Sequence, residues 1–449
     1  MGRTFFQRSD TYKRLNKVID PKDKSQQQLE GRVGSPLKPS SSDEQIQQKP
    51  QLSAYEQELE QRHREIQQQK LQEKLRLQQE AAAKGEVYID TDEQQPKPRI
   101  KRNKEEDEEK RKSKIPKALY DPEVRKQLEE LKQHKPIFMY TVTIIQILLM
   151  IICLIINYRY TGNLFDNMQN NIMLGPNYGV LIHMGARFVP CMKQMDEARA
   201  SNYTINICPR GVKGSIVNDK GYINSATRKL ITENLCSRSE LCGMGGFEDT
   251  PNQWIRFIVP IFLHCGIIHI IINLIFQIRT GIQMERDFGT WRMMIIYMAS
   301  GIFGFAFGAD ISYAIPSVGC SGALYGLLGC LLLDLVQNWK LIVNPFKELI
   351  KMLFIIIFSF GIGLIPFVDN FAHVGGFITG IFSGLIFMPT IIFGKWDLRR
   401  KRFLMVISIP ILIGMFVWVF KAFYQEDKTS CKWCKYITCV PINHWCDRL

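Results

Sequence analysis

The sequence predicts an all-α polytopic membrane protein, and three observations carry that prediction. Beyond Ile137 the chain repeats long apolar runs separated by short polar connections. Lys and Arg crowd the N-terminal side and every second connection and are missing from two short ones between, Gly308–Ser317 and Pro366–Asn370, the pattern by which membrane topology is set. Finally, the apolar runs hold isolated Ser, His and Asn side chains; ionisable groups there are costly in hydrocarbon and mark sites.

The chain has 449 residues and a net charge of +14, room for several ordinary domains. Residues 1–135 are rich in Gln, Lys, Glu and Pro with few large apolar side chains. They read as a cytosolic, largely disordered tail. Within it, Leu52–Lys84 has the composition of a solvated helix. Leu52, Tyr55, Leu59 and Ile66 sketch a heptad seam that Arg62, Gln69 and Glu73 interrupt, which favours a polar, partly helical linker over a coiled coil. Met1–Asp23 lacks the apolar run of a secretory signal. Phe6 stands where a myristoylation start wants Ser or Thr. A basic chain can signal nucleic acid. Here the cations flank apolar runs, topology accounts for them, and no nucleic-acid partner is expected.

Lys132 and Lys135 precede the first span, Ile137–Tyr158, in segment 136–158. The loop 159–254 carries Cys191, Cys208, Cys236, Cys242 and the glycosylation sequon Asn202-Tyr203-Thr204. Six more apolar runs fill 255–423: Ile255–Ile278, Trp291–Phe307, Val318–Val336, Leu349–Ile365, Phe371–Phe393 and Phe403–Phe420. Seven spans place the basic N-terminal tail, Arg279–Arg292, Lys340–Lys351 and Arg399–Arg402 on one side, which the rule makes cytosolic. Gly308–Ser317 and Pro366–Asn370 carry neither Lys nor Arg and fall on the other. So do the loop and the 424–449 tail with Cys431, Cys434, Cys439 and Cys446. Even cysteine counts on an oxidising face read as disulfides of open connectivity. The tail spacing would suit zinc in a cytosolic protein; the topology favours disulfides. Cys153, Cys265, Cys320 and Cys330 fall in spans and read as small packing residues. The placement predicts a multi-pass protein of the secretory pathway, in Golgi, plasma membrane or endosome.

A serine sits among glycines in Gly319-Cys320-Ser321-Gly322-Ala323-Leu324-Tyr325-Gly326, and a histidine opens another span in Asn370-Phe371-Ala372-His373-Val374-Gly375-Gly376. The second span holds His264, His269 and Asn273, the last two four residues apart and so on one helical face. Interhelical hydrogen bonding alone would explain such residues. A metal on His264, His269 and His373 is disfavoured, since no His-Glu-x-x-His helix or accompanying carboxylate is present; neither metal nor other cofactor is expected. The topology puts Ser321, His373, His269 and Asn273 at similar depth below one face. A serine beside a histidine is the minimum for acyl transfer. No carboxylate to orient His373 is evident, because Asp369 falls at the membrane edge, so a dyad is expected. His269, Asn273 and the Ser321 backbone N–H would serve an oxyanion. Gly322-x-x-x-Gly326 and Gly376-x-x-x-Gly380 are close-approach faces that would bring Ser321 and His373 together.

These residues resemble the rhomboid intramembrane serine proteases. The Gly-x-Ser-Gly of the fourth span, the Ala-His with following glycines of the sixth, and His264-x4-His269-x3-Asn273 in the second match that family. Gly281-Ile282-Gln283-Met284-Glu285-Arg286, in the connection after the second span, resembles its Glu/Arg motif. The resemblance covers about 135–420 and implies a six-helix core plus one C-terminal helix, the secretase-type arrangement. It implies Ser321 as nucleophile, His373 as general base and His269 and Asn273 as oxyanion hole. Tyr325 would pack under the His373 ring, with His264, Glu285 and Arg286 as structural support beside the four glycines. Leu174-Gly175-Pro176 and Leu181–Ala186 resemble a first loop shared with inactive rhomboids. Cys320 stands where the family usually has alanine. The expected function is an intramembrane serine endopeptidase acting on transmembrane proteins within membrane lipid. The alternative is a non-catalytic adaptor that binds client spans; a transporter finds no repeated halves in support.

Overall fold

The computed structural model describes residues 68, 72, 76, 116–168, 171–194, 205–207, 222–223, 230–231, 235–311, 315–364 and 368–425. The chain divides into two units, of which one is residues 17–114. In that unit Gln68, Gln72 and Arg76 are helical and exposed. Asn202, Cys208, Cys431, Cys434, Cys439 and Cys446 lie outside the described residues.

Helix α1 (Pro122–Glu129) starts where Asp121 accepts a hydrogen bond from Glu123 N, with proline in its first turn, a favoured start. Gln127 on α1 exchanges two hydrogen bonds with the Ile392 backbone. The first span, α2 (Ile137–Thr161), has no side-chain cap of its own. The buried Glu285 supplies one, accepting from Phe138 N at 2.9 Å and Met139 N at 2.8 Å. A carboxylate there satisfies free donors and suits the helix dipole. Gly162, at φ +79°, ends α2.

The following loop carries α3 (Tyr178–His183) and α4 (Arg238–Cys242), the latter opened by a Ser237/Glu240 capping box. Two antiparallel pairs, β1 (Ile205–Ile207) with β4 (Leu235–Ser237) and β2 (Tyr222–Ile223) with β3 (Leu230–Ile231), are its strands among the described residues. Cys191 and Cys242 form a disulfide, and Cys236 is disulfide-bonded as well. The buried Arg256 holds the loop to the bundle by donating to the Ile182, Ala186 and Cys242 carbonyls.

The second span differs from the sequence expectation at both ends. Residues 254–261 form two 3-10 turns, the second containing Pro260. Helix α5 (Ile267–Phe288) begins only after Gly266. His264 and Cys265, expected inside this span, therefore precede the helix. At its far end α5 continues through a π turn at Gln277–Gly281, so Glu285 and Arg286 lie in its last turns and not in a connection. Gln277 there donates to Thr143 Oγ1 and Gln146 Oε1 and accepts from the Tyr297 hydroxyl, all buried. The irregular turn thus seats one polar side chain among three partners, a use of π bulges.

Gly289, at φ +91°, alone separates α5 from α6 (Thr290–Ile311). Then come α7 (Ser321–Gln337), α8 (Pro345–Ile362), α9 (Asn370–Phe387) and α10 (Lys395–Tyr424). Seven helices stand where seven spans are expected. Among the described residues, five (α2, α5, α6, α9 and α10) are long and apolar enough to cross a membrane. The α7 helix is shorter, at 17 residues, and α8 carries Lys347, Glu348 and Lys351 in its first turns. Arg399–Arg402 lie inside α10, where Arg400 and Lys401 pair with Asp397 at 2.8 Å each.

Helix α7 is the buried centre, with Ala323, Leu327 and Cys330 fully inside. The α9 helix lies against it through glycine. A Cβ on Gly376 would stand 2.0 Å from Gly322 O, and one on Gly380 2.1 Å from Gly326 O. The two small-residue faces therefore meet backbone to backbone. The outer helices turn Ile144, Ile151, Phe354 and Ile357 outward, as lipid-facing surfaces do.

Candidate active site

Ser321 is the first residue of α7, so its side chain and its free backbone N–H both sit at the mouth of the bundle. The turn before it needs a glycine. Gly319 has φ +125°, a conformation that side chains avoid, and its N–H donates to Pro260 O at 2.9 Å. Ser321 Oγ lies 2.8 Å from His373 Nε2. His373 belongs to the first turn of α9, so the glycine contact between α7 and α9 is what sets this distance. The Tyr325 ring, one turn below Ser321, stacks on the imidazole with centroids 4.1 Å apart and planes at 11°. Tyr325 in turn lies against Phe360 of α8. Ring stacking thus holds His373 flat toward the serine.

Among the described residues no carboxylate reaches the other ring nitrogen. His373 Nδ1 is buried with no hydrogen-bond partner among the described residues. Asp369, the nearest acid in sequence, caps α9 by accepting from Ala372 N at 3.1 Å. Its second oxygen pairs with Arg187 Nη2 at 3.1 Å. The pair is a dyad in geometry.

On the opposite wall, a Cβ on Gly319 would stand 2.7 Å from His269 Cε1, 3.0 Å from Nε2 and 3.6 Å from Asn273 Nδ2. Both side chains therefore face the backbone just before Ser321. Asn273 Nδ2 is buried and has no acceptor among the described residues, a donor available to a developing oxyanion. A cavity of about 20 Å³ lies between the walls, lined by Cys265, His269, Ser321, Gly322, Asp369 and Ala372 among others. That is room for about one water.

His264 stands under this wall. It is buried, meets the His269 ring edge-on at 5.2 Å, and its Nε2 lies 3.6 Å from Cys320 Sγ. Arg286 is exposed, and its carbonyl accepts from His134 N. Among the described residues no group of three His, Cys, Asp or Glu side chains is placed to hold a metal.

Two features were not anticipated from sequence. Cys265 is not merely a packing residue: its Sγ lies 3.1 Å from His269 Nδ1. Arg187 is 1% exposed and, besides Asp369, reaches Ile315 O with Nη2. Its backbone forms a two-way bridge with Ser317, both bonds 2.9 Å. Burial pulls the Arg187 guanidinium below its ordinary pKa, and Asp369 opposes that shift. The only sequence signal for Arg187 is a cation set inside the apolar stretch Met184–Met192.

Fold and site define a multi-pass α-helical membrane protein with a serine–histidine pair at one end of its bundle. Residues 251–390 match the Rhomboid domain. A protein named rhomboid-type serine protease 2 from Emericella nidulans is 32% identical over 375 residues, 69% of this chain and 71% of that relative. Inactive rhomboid protein 1 of Danio rerio is 25% identical over 73% of this chain. The human protein of the same name is 35% identical over 48% of it. The chain spans 54% of the fish protein and 26% of the human one. The chain belongs to the rhomboid family.

Proposed function

We propose that this rhomboid is an intramembrane serine endopeptidase that cuts the membrane helices of single-span proteins. The observation that carries the reading is the 2.8 Å contact between Ser321 Oγ and His373 Nε2, within the reach that general-base catalysis needs. His373 takes the serine proton as Oγ attacks a peptide carbonyl. The oxyanion so formed accepts hydrogen bonds from Asn273 Nδ2, His269 and the Ser321 N–H. His373 then returns the proton to the leaving amine, and water releases the acyl group by the same steps. A helical peptide bond is hydrogen-bonded and shielded, so substrates with helix-destabilising Gly or Pro near the cut are favoured.

In this reading residues 1–135 are a cytosolic tail and residues 136–158 the first span. The loop 159–254 and the tail 424–449 face the lumen or exterior, and 255–423 are the catalytic core and seventh span. The site then opens near the luminal face of a secretory-pathway membrane. A second reading, a silent adaptor binding client spans, draws support from the relatives named inactive rhomboid protein 1. The test is labelling of the detergent-solubilised chain by a serine-directed fluorophosphonate. Wild type labels and Ser321→Ala and His373→Ala do not, if the peptidase reading holds. A folded wild type that never labels favours the adaptor.

A further inference from the structure

We propose that the Cys265 thiol selects the tautomer of His269 that an oxyanion requires, and so acts as a positioning residue for the cleft. The proposal rests on the peptidase reading above. A neutral imidazole has one N–H and one bare nitrogen, and the hydrogen bond made by one nitrogen decides the state of the other. His269 has its two nitrogens in different surroundings. Nδ1 lies 3.1 Å from Cys265 Sγ. The edge carrying Nε2 faces Gly319, two residues before Ser321, closely enough that a Cβ there would stand 3.0 Å away.

A thiol is a hydrogen donor, if a weak one. When S–H donates to Nδ1, the ring proton sits on Nε2 and points to the place where negative charge develops. The opposite tautomer turns a lone pair on that place, which removes a donor and adds repulsion.

The local backbone is built to present this thiol. Gly266 is extended, at φ 172° and ψ 174°, and it cannot carry a side chain, since a Cβ would stand 2.1 Å from Met173 O. It therefore breaks the chain before α5 and leaves Cys265 outside the helix, against its first turn. The Cys265 carbonyl is fixed separately, accepting from Asn171 Nδ2 at 2.7 Å. With the carbonyl held and the residue 6% exposed, the thiol is kept against the His269 ring nitrogen, with Tyr178 and Val318 packed beside this cluster.

The test uses the full chain in detergent, with fluorophosphonate labelling rates for wild type, Cys265→Ser, Cys265→Ala and Cys265→Val, each checked for unchanged Tm. Serine restores a donor, and alanine is of similar size without one. Labelling is expected to slow about tenfold in the Ala and Val variants and to stay within about twofold of wild type in Ser. A packing role would move Ser and Ala together. Equal slowing of those two, or no slowing in Ala, overturns the proposal. ¹⁵N NMR of the wild-type imidazole reads the same point without a substitution: a proton on Nε2 supports it, a proton on Nδ1 overturns it. A folded wild type that does not label at all defeats the peptidase reading instead, and takes this proposal with it.

Discussion

Gly319 shows how much of the site rests on the lack of a side chain. Its φ of +125° and the 2.7 Å separation from His269 Cε1 that a Cβ would have are independent obstacles to any other residue. Gly319→Ala is expected to reduce fluorophosphonate labelling at least about tenfold, because the strained turn displaces Ser321 from the donors opposite. Circular dichroism should show the helices intact. At this scale the sequence was informative where chemistry demands a residue type: Ser321, His373, His269 and Asn273 are polar groups in apolar runs, and the structure brings them to one cleft. It was silent on Cys265 and Arg187. A thiol is indistinguishable from a small packing residue until its neighbour is known, and Arg187 meets Asp369 across most of the core.

The elements were legible to different degrees for physical reasons. Hydropathy locates apolar runs, so all seven helices stand near their expected places. It does not register what interrupts a helix inside an apolar run. Pro260 and Gly266 delay the start of α5, and the π turn at Gln277–Gly281 lets it continue past the expected end to Phe288. Small residues at four-residue spacing are common in apolar sequence, and the glycine faces were legible because one follows Ser321 and the other His373. Their contact makes a sharp demand. Gly380→Val would press a branched side chain where even a Cβ falls 2.1 Å from Gly326 O. We expect a loss of about 3 kcal/mol, read as a lower Tm in detergent. Labelling of Ser321 should fall in parallel, since the same contact sets its distance to His373.

At the scale of the molecule, the larger unit joins two kinds of structure, a helical bundle and the described parts of the loop that pack on it. The pair of buried Arg187 with partly buried Asp369 is their point of attachment to the site, because Asp369 caps the helix of His373 and Arg187 is bridged to Ser317, just before Ser321. Arg187→Met leaves Asp369 without its counter-charge and is expected to cost about 3–5 kcal/mol. Adding Asp369→Asn, which keeps a capping side chain, should recover part of that loss. Thermal unfolding of wild type and the two variants checks both statements, and a double variant no more stable than Arg187→Met would show that the pair is not the cause.

Cys191 follows Arg187 closely in the same loop and is tied to Cys242 across a separation of 51 residues. In the chain-entropy view a closure of that length is worth about 4 kcal/mol, and it forms only where an oxidant is present. The helices ask nothing of their surroundings but lipid. The loop bridged to Ser317 asks for an oxidant as well, so the helices can pack before the brace beside them is closed. How firmly that end of the bundle is held is then a matter of redox history as well as of packing.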